Sequence, residues 1–261
     1  MLIWDLSILT ALVWSSSALT SAPLPGTRSK ASREWTSTDG IALLRNFFES
    51  SDFAAIQAEV AQLRRAARAE VNSFATGRMA APLPASPPSP ATGLMASPAM
   101  AERISRTVGR QVQPAGADFP PEVRFYGPGA SMAWHRDDVA YAEPQVELIL
   151  TVHVEGGFDG ATQWRLPDGR VVGEILEPNS LLVVQAGGPE HQVTPVTRGH
   201  RSIVKAVFVS SFQRSDDFGR LSRAAAVAAP GRGGSRGART AVEEKKKRKK
   251  LRQRDRRTRA Q

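Results

Sequence analysis

Cysteine is absent, which excludes disulfide scaffolds, thiolate zinc sites, iron–sulfur clusters and cysteine nucleophiles together. Any metal must therefore be held by histidine and carboxylate. Histidine is itself scarce, with 4 in 261 residues, so each is worth placing. Long apolar runs are missing too. The most apolar stretch, Leu6 to Trp14, is too short to cross a bilayer, and no transmembrane span is expected in the mature chain. It lies within residues 1–22, which end in small residues as a secretory signal peptide does, although the start carries Asp5 and no Lys or Arg. The basic, hydroxyl-rich stretch that follows, Thr27 to Trp35, fits either an organellar (plastid-like) targeting sequence or a linker.

The net charge of +10 belongs to one end. Residues Gly231 to Gln261 hold 14 Lys/Arg against 3 Asp/Glu, a balance of +11, which leaves the other 230 residues at −1. The domain proper is near neutral, which weakens the case for it as a nucleic-acid surface. The tail, with Lys245 to Lys250 at its centre, reads as disordered from residue 224 to 261. It is open to three uses: nuclear import, an anionic partner, or plain solvation. A nuclear address conflicts with a secretory leader on the same chain, so the compartment stays open.

Between these ends, residues 39–213 read as one domain. Ile41, Leu44 and Phe48, then Phe53, Ile56, Val60 and Leu63, recur at three- and four-residue steps and predict two amphipathic helices in a helical lead-in over 39–110. Ser51 or Asp52 is placed to cap the second. Residues 79–98 are rich in Pro, Ala and Ser without periodicity and predict a flexible loop. Ser97-Pro98 then opens a helix through Val108.

After Phe119-Pro-Pro121 the pattern becomes β. Strands are expected at 123–126, 146–154, 161–166, 170–176, 181–185, 192–196 and 202–209, with a hairpin turn at Pro167-Asp168-Gly169. The fold class is therefore α+β: a jelly-roll core over 122–210, helices packed on one side, and disordered termini.

Chemistry concentrates in the β region. His135-Arg136-Asp137 is an H-x-D pair, and alternate residues of an extended segment point the same way, so both can reach one ion. An H-x-D pair alone is weak, since it arises by chance. The gain comes from His191 at a later strand end, with Arg201 ten residues on. Two histidines and one carboxylate on one face of ferrous ion leave three positions open.

In order and spacing, these residues resemble the iron(II)/2-oxoglutarate dioxygenases, and most of all their prolyl 4-hydroxylase-like branch. The resemblance rests on Tyr126-x-x-Gly129, His135-x-Asp137, the strand 146–154, Glu155-Gly156-Gly157, and His191 with Arg201. It covers about a third of the chain, and the segment Ile41–Phe48 resembles that family's helical lead-in. The resemblance implies a double-stranded β-helix and Fe(II) at His135, Asp137 and His191. It also implies 2-oxoglutarate as cosubstrate, its far carboxylate on Arg201, with Tyr126 and Ser202 as further candidates for contacting it. The implied reaction takes O2, hydroxylates a C–H bond of a protein side chain or small molecule, and releases succinate and CO2; ascorbate would serve as reductant. Two departures stand out. Met132 occupies a position often aromatic in that branch, and Arg201 stands where Lys is common. A guanidinium suits a carboxylate bidentately, so only Met132 bears on the cosubstrate pocket.

Two alternatives remain open at this level. Phe125–Asp138 also resembles the AlkB-type nucleic-acid dealkylases, although the single Arg201 ten residues after His191 fits them poorly. A non-catalytic jelly-roll module tethered by its basic tail would instead show salt-sensitive binding and no turnover.

Overall fold

The computed structural model describes residues 32–85 and 87–219; most of the expected leader and all of the expected basic tail at 224–261 lie outside the described residues. The chain opens with strand β1 (Ile41–Leu44), helix α1 (Ser50–Leu63), and the short strands β2 (Arg68–Ala69), β3 (Ala75–Thr76) and β4 (Met79–Pro82). Helices α2 (Pro90–Met95) and α3 (Pro98–Val108) follow, then β5 (Gln113–Pro114), β6 (Glu122–Tyr126), β7 (Ser131–His135) and the long β8 (Val146–Glu155). The chain continues through β9 (Thr162–Arg165), β10 (Val171–Glu174), β11 (Ser180–Gln185), β12 (His191–Val193) and β13 (His200–Val209).

Two antiparallel sheets result. The larger runs β1-β11-β8-β13-β6-β4-β2, with β5 also on β13, and the smaller runs β10-β9-β12-β7-β3. The helices cover the outer face of the larger sheet. Phe53, Ile56 and Val60 of α1 and Met100, Ile104 and Val108 of α3 pack against Val146, Leu148, Leu150, Val204, Ala206 and Phe208. Each such side chain contributes about 1.5–3 kcal/mol when fully buried, so this layer is the main store of stability. A jelly roll with helices on one side is what the pattern predicts, and it is what forms.

The alternation on β8 and β13 has a second consequence. Val146, Leu148, Leu150 and Val152 of β8 and Val204, Ala206 and Phe208 of β13 face the helices, whereas Glu147, Ile149 and Thr151, and Arg201, Ile203 and Lys205, face the space between the sheets. A bulge at Ser202/Ile203 shifts β8 by one, so Val154 also faces inward. A polar alternate face usually meets water. Here it meets the interior, and Glu147, Thr151 and Arg201 are all buried.

Several elements differ from the sequence reading. Ile41–Leu44 is a strand paired with β11, not a helix. Ile41 and Leu43 pack between the sheets and Ala42 under the helices, so a strand buried on both faces loses the period-two signal. Helix α1 begins at Ser50 with Glu49 as its cap residue and no side-chain cap bond, so neither Ser51 nor Asp52 caps it. Part of the expected flexible stretch 79–98 is ordered. Met79–Pro82 pairs with β6, and α2 is started by Pro90 and by Ser89, whose hydroxyl accepts from the Thr92 amide at 3.2 Å. Proline there marks a helix start and a strand end rather than disorder. Helix α3 starts as expected, with the Ser97 hydroxyl accepting from the Met100 amide at 3.0 Å. His135 ends a strand, Ser131–His135, that is not among those the pattern predicts.

Candidate metal and dicarboxylate site

β7 and β12 are antiparallel neighbours in the smaller sheet, and His135 and His191 are register partners across them. Their rings therefore sit side by side, centroids 4.2 Å apart and tilted by 54°. Asp137, two residues beyond His135, brings its carboxylate to both. Oδ1 lies 3.8 Å from His135 Nε2, and Oδ2 lies 3.5 Å from His191 Nε2. One ligand atom from each residue lies within 4.8 Å of the others, and this is the only such group among the described residues.

The hydrogen bonding fixes which atoms are free. His135 Nδ1 meets the Ala133 carbonyl at 2.9 Å and His191 Nδ1 meets the Pro189 carbonyl at 3.2 Å. A carbonyl only accepts, so both Nδ1 atoms carry the proton, and each Nε2 presents a lone pair. His135 Nε2 and Asp137 Oδ2 are buried without a hydrogen-bond partner. Unsatisfied buried acceptors pointed at one place are costly unless an ion takes them up, so the donor set fits a divalent cation.

Charge supports the same reading. Burial, then the neighbouring His191, pushes the His135 imidazole down to about 4, against the pull of Asp137, so it is neutral near pH 7. Burial would raise the Asp137 carboxyl, but Lys205, both histidines and Arg124 outweigh it and hold the group below its usual range. Lys205 is ion-paired with Glu147. Burial, then Asp137, pushes Glu147 up to about 7 despite Lys205.

Deeper between the sheets lies a buried guanidinium. Arg201 is 2% exposed, and among the described residues it has no carboxylate partner. Its Nη1 donates to Thr162 Oγ1 at 2.7 Å and its Nη2 to Thr151 Oγ1 at 3.2 Å, while Nε has no partner. Burial lowers its pKa to about 10, which leaves it charged at neutral pH. An uncompensated buried cation of this kind is expensive and calls for an anion. Its placement depends on Gly199, with φ of +70°, where a Cβ would overlap the backbone of Phe158 and Glu155. The Glu155-Gly156-Gly157 turn that meets it uses two consecutive positive φ values, 62° and 67°.

The expected site residues thus divide. His135, Asp137 and His191 come together, and Arg201 and Tyr126 are register partners on the interior face. Ser202 does not join them. It faces the helix layer, its hydroxyl 2.9 Å from His153 Nδ1, because adjacent strand residues point to opposite faces. Residues the sequence did not single out are Thr151 and Thr162, which hold the guanidinium, and Phe74 and Arg78. Phe74 stacks on His135, and Arg78 contacts both Tyr126 and Met132. Thr151 was visible as a polar residue in the alternation of β8, but nothing in a single sequence says that this face turns inward.

Neither a protein-family model nor a curated protein matches the sequence. Solved structures do match the fold. A prolyl-4-hydroxylase from Pseudomonas putida aligns at a TM-score of 0.53 and 19% identity, covering 65% of this chain and 92% of that one. The fold is that of the iron(II)/2-oxoglutarate oxygenases. A prolyl hydroxylase from Trichoplax adhaerens, solved with a peptide fragment of hypoxia inducible factor, aligns at 0.52 and 16% identity over 66% and 84% of the two chains. The epimerase SnoN, solved with Fe3+, α-ketoglutarate and nogalamycin RO, aligns at 0.54 and 14% identity over 66% and 79%. On this oxygenase fold the His-Asp-His group sits on the smaller sheet, and Arg201 sits on the central strand of the larger one. Among the described residues no helix is long and apolar enough to cross a membrane.

Proposed function

We propose that the protein is an Fe(II)- and 2-oxoglutarate-dependent oxygenase that hydroxylates a protein side chain or a small molecule. One observation carries the reading. Two histidines and a carboxylate leave unpartnered ligand atoms at one point, and a buried guanidinium without a carboxylate waits deeper in the same interior. Those are the two ends of a site for a divalent ion and a dicarboxylate.

His135, Asp137 and His191 would hold the ion. Bound Fe(II) and 2-oxoglutarate supply the oxidative chemistry, which couples loss of CO2 from the cosubstrate to insertion of one oxygen atom of O2 into a substrate C–H bond. The protein's own work is placement. The Ala133 and Pro189 carbonyls lock both imidazoles in the Nδ1–H tautomer, which keeps Nε2 toward the ion. Arg201 pairs with the far carboxylate, and Thr162 and Thr151 fix the plane of its guanidinium, so a bidentate pair forms without ordering a mobile side chain. Phe74 shields one face of His135 from water.

The test is succinate release by the full-length protein supplied with Fe(II), 2-oxoglutarate, O2 and ascorbate. Slow succinate formation without added substrate, abolished in His135→Ala, supports the assignment. No release from a metal-loaded, folded protein contradicts it. Demethylation of methylated single-stranded DNA under the same conditions would move the assignment to the dealkylase reading.

A further inference from the structure

Tyr126 lies between two buried guanidinium groups. Arg201 sits 5.9 Å from its ring centroid and Arg78 sits 5.5 Å away. The two cations are not equivalent. Arg201 has only hydroxyl partners, whereas Arg78 is committed through Nε and Nη2 to the buried carboxylate of Glu70. That leaves Arg78 Nη1, which donates to the Tyr126 hydroxyl at 2.7 Å and approaches Met132 Sδ at 2.8 Å.

The direction of the first bond matters. A guanidinium has no acceptor, so the phenol oxygen must accept from Arg78, and its own O–H remains to be donated elsewhere. Among the described residues nothing accepts it. Tyr126 and Arg201 are register partners on β6 and β13, so this unused donor belongs to the same interior wall as the dicarboxylate hook. The position at which the resembled branch often carries an aromatic residue is here Met132, whose sulfur meets the same Arg78 nitrogen.

We propose that Arg78 is a positioning residue: by occupying the Tyr126 oxygen as acceptor, it turns the phenolic O–H toward the carboxylate that Arg201 binds. Arg78 does not touch the dicarboxylate. Its cation also polarises the phenol and makes it a stronger donor. Glu70 keeps Arg78 charge-balanced, so the anion hook itself stays with Arg201. The inference rests on the oxygenase reading, because it needs a dicarboxylate at Arg201.

The experiment is a double-mutant cycle on the Ni(II)-loaded full-length protein. 2-Oxoglutarate binding is measured by calorimetry for wild type, Arg78→Met, Tyr126→Phe and the double variant. A hydrogen bond to a charged group is worth about 1.5–3 kcal/mol, so each single change is expected to weaken binding roughly 10-fold or more. The double variant is expected to bind no more weakly than Tyr126→Phe alone, because Arg78 acts only through the phenol. In turnover, KM for 2-oxoglutarate rises while kcat changes little, and Arg78→Lys restores part of the affinity.

Arg78→Met leaves Glu70 buried without its partner, so the cycle is repeated with Glu70→Gln present throughout, which keeps it readable if the single variant does not fold. Equal losses on removing Arg78 with and without the Tyr126 hydroxyl would overturn the inference, as would unchanged affinity in Arg78→Met. A wild-type protein that binds Ni(II) but not 2-oxoglutarate would instead overturn the oxygenase reading.

Discussion

The phenyl ring of Phe74 lies against the imidazole of His135, ring centroids 5.4 Å apart and planes 25° from parallel. Phe74 reaches this position from the turn between β2 and β3, and its carbonyl accepts from the Ala133 amide at 2.8 Å on the strand that carries His135. Phe74 is 43% exposed, so it packs little core and mainly screens a metal-ligand candidate. Phe74→Ala is expected to cost about 1 kcal/mol or less in stability. It should also speed metal loss to a chelator by about 10-fold, since the apolar shell controls solvent access to such a site. Chelator-capture kinetics beside a thermal melt separate the two effects.

Arg201 sets function against stability. Arg201→Met replaces a buried, uncompensated cation by an apolar side chain of similar length. It is expected to raise the stability of the cosubstrate-free protein by about 1 kcal/mol, roughly 2–4 °C in Tm. The same change should abolish saturable 2-oxoglutarate binding. A lower Tm together with intact binding would contradict the role given to this residue.

The histidine pair predicts acid sensitivity of the metal-free protein. Burial and His191 push His135 from 6.5 down to about 4, so the unfolded chain takes up this proton before the folded one does. Stability from this group is therefore complete above about pH 6.5 and falls as pH drops toward 4, by an amount on the order of 3 kcal/mol. The low-lying carboxyl of Asp137 adds a loss of the same sign at more acidic pH. Urea midpoints between pH 7 and 4 should fall for wild type and fall less for His135→Asn. Parallel slopes would show that His135 is not buried in this way.

Much of the site is legible in the sequence alone. H-x-D spacing, a later His191 and Arg201 ten residues on are short-range signals, and expected strands begin just after His191 and Arg201, although the strand Ser131–His135 that carries the first ligand is not among those expected. What was hidden depends on facing. Ser202 adjoins Arg201 in sequence yet points to the helix layer, and only the pairing of β13 with β8 decides which of the two faces inward. Ile41–Leu44 resembles a helix in sequence because a strand covered on both sides has no polar alternation to betray it. Arg78 and Phe74 were invisible because their roles come from contacts 48 and 61 residues away, with Tyr126 and His135 respectively, and no local pattern encodes such a distance.

The central claim is that His135, Asp137 and His191 grip one divalent ion. Its most direct test is the number and affinity of Co(II) or Fe(II) ions bound by the full-length protein and by His135→Ala, Asp137→Ala and His191→Ala. One ion per chain in the wild type, with binding greatly weakened in all three variants, is the predicted result. A folded wild type that binds no ion, or variants that bind it as well as the wild type does, would contradict the account.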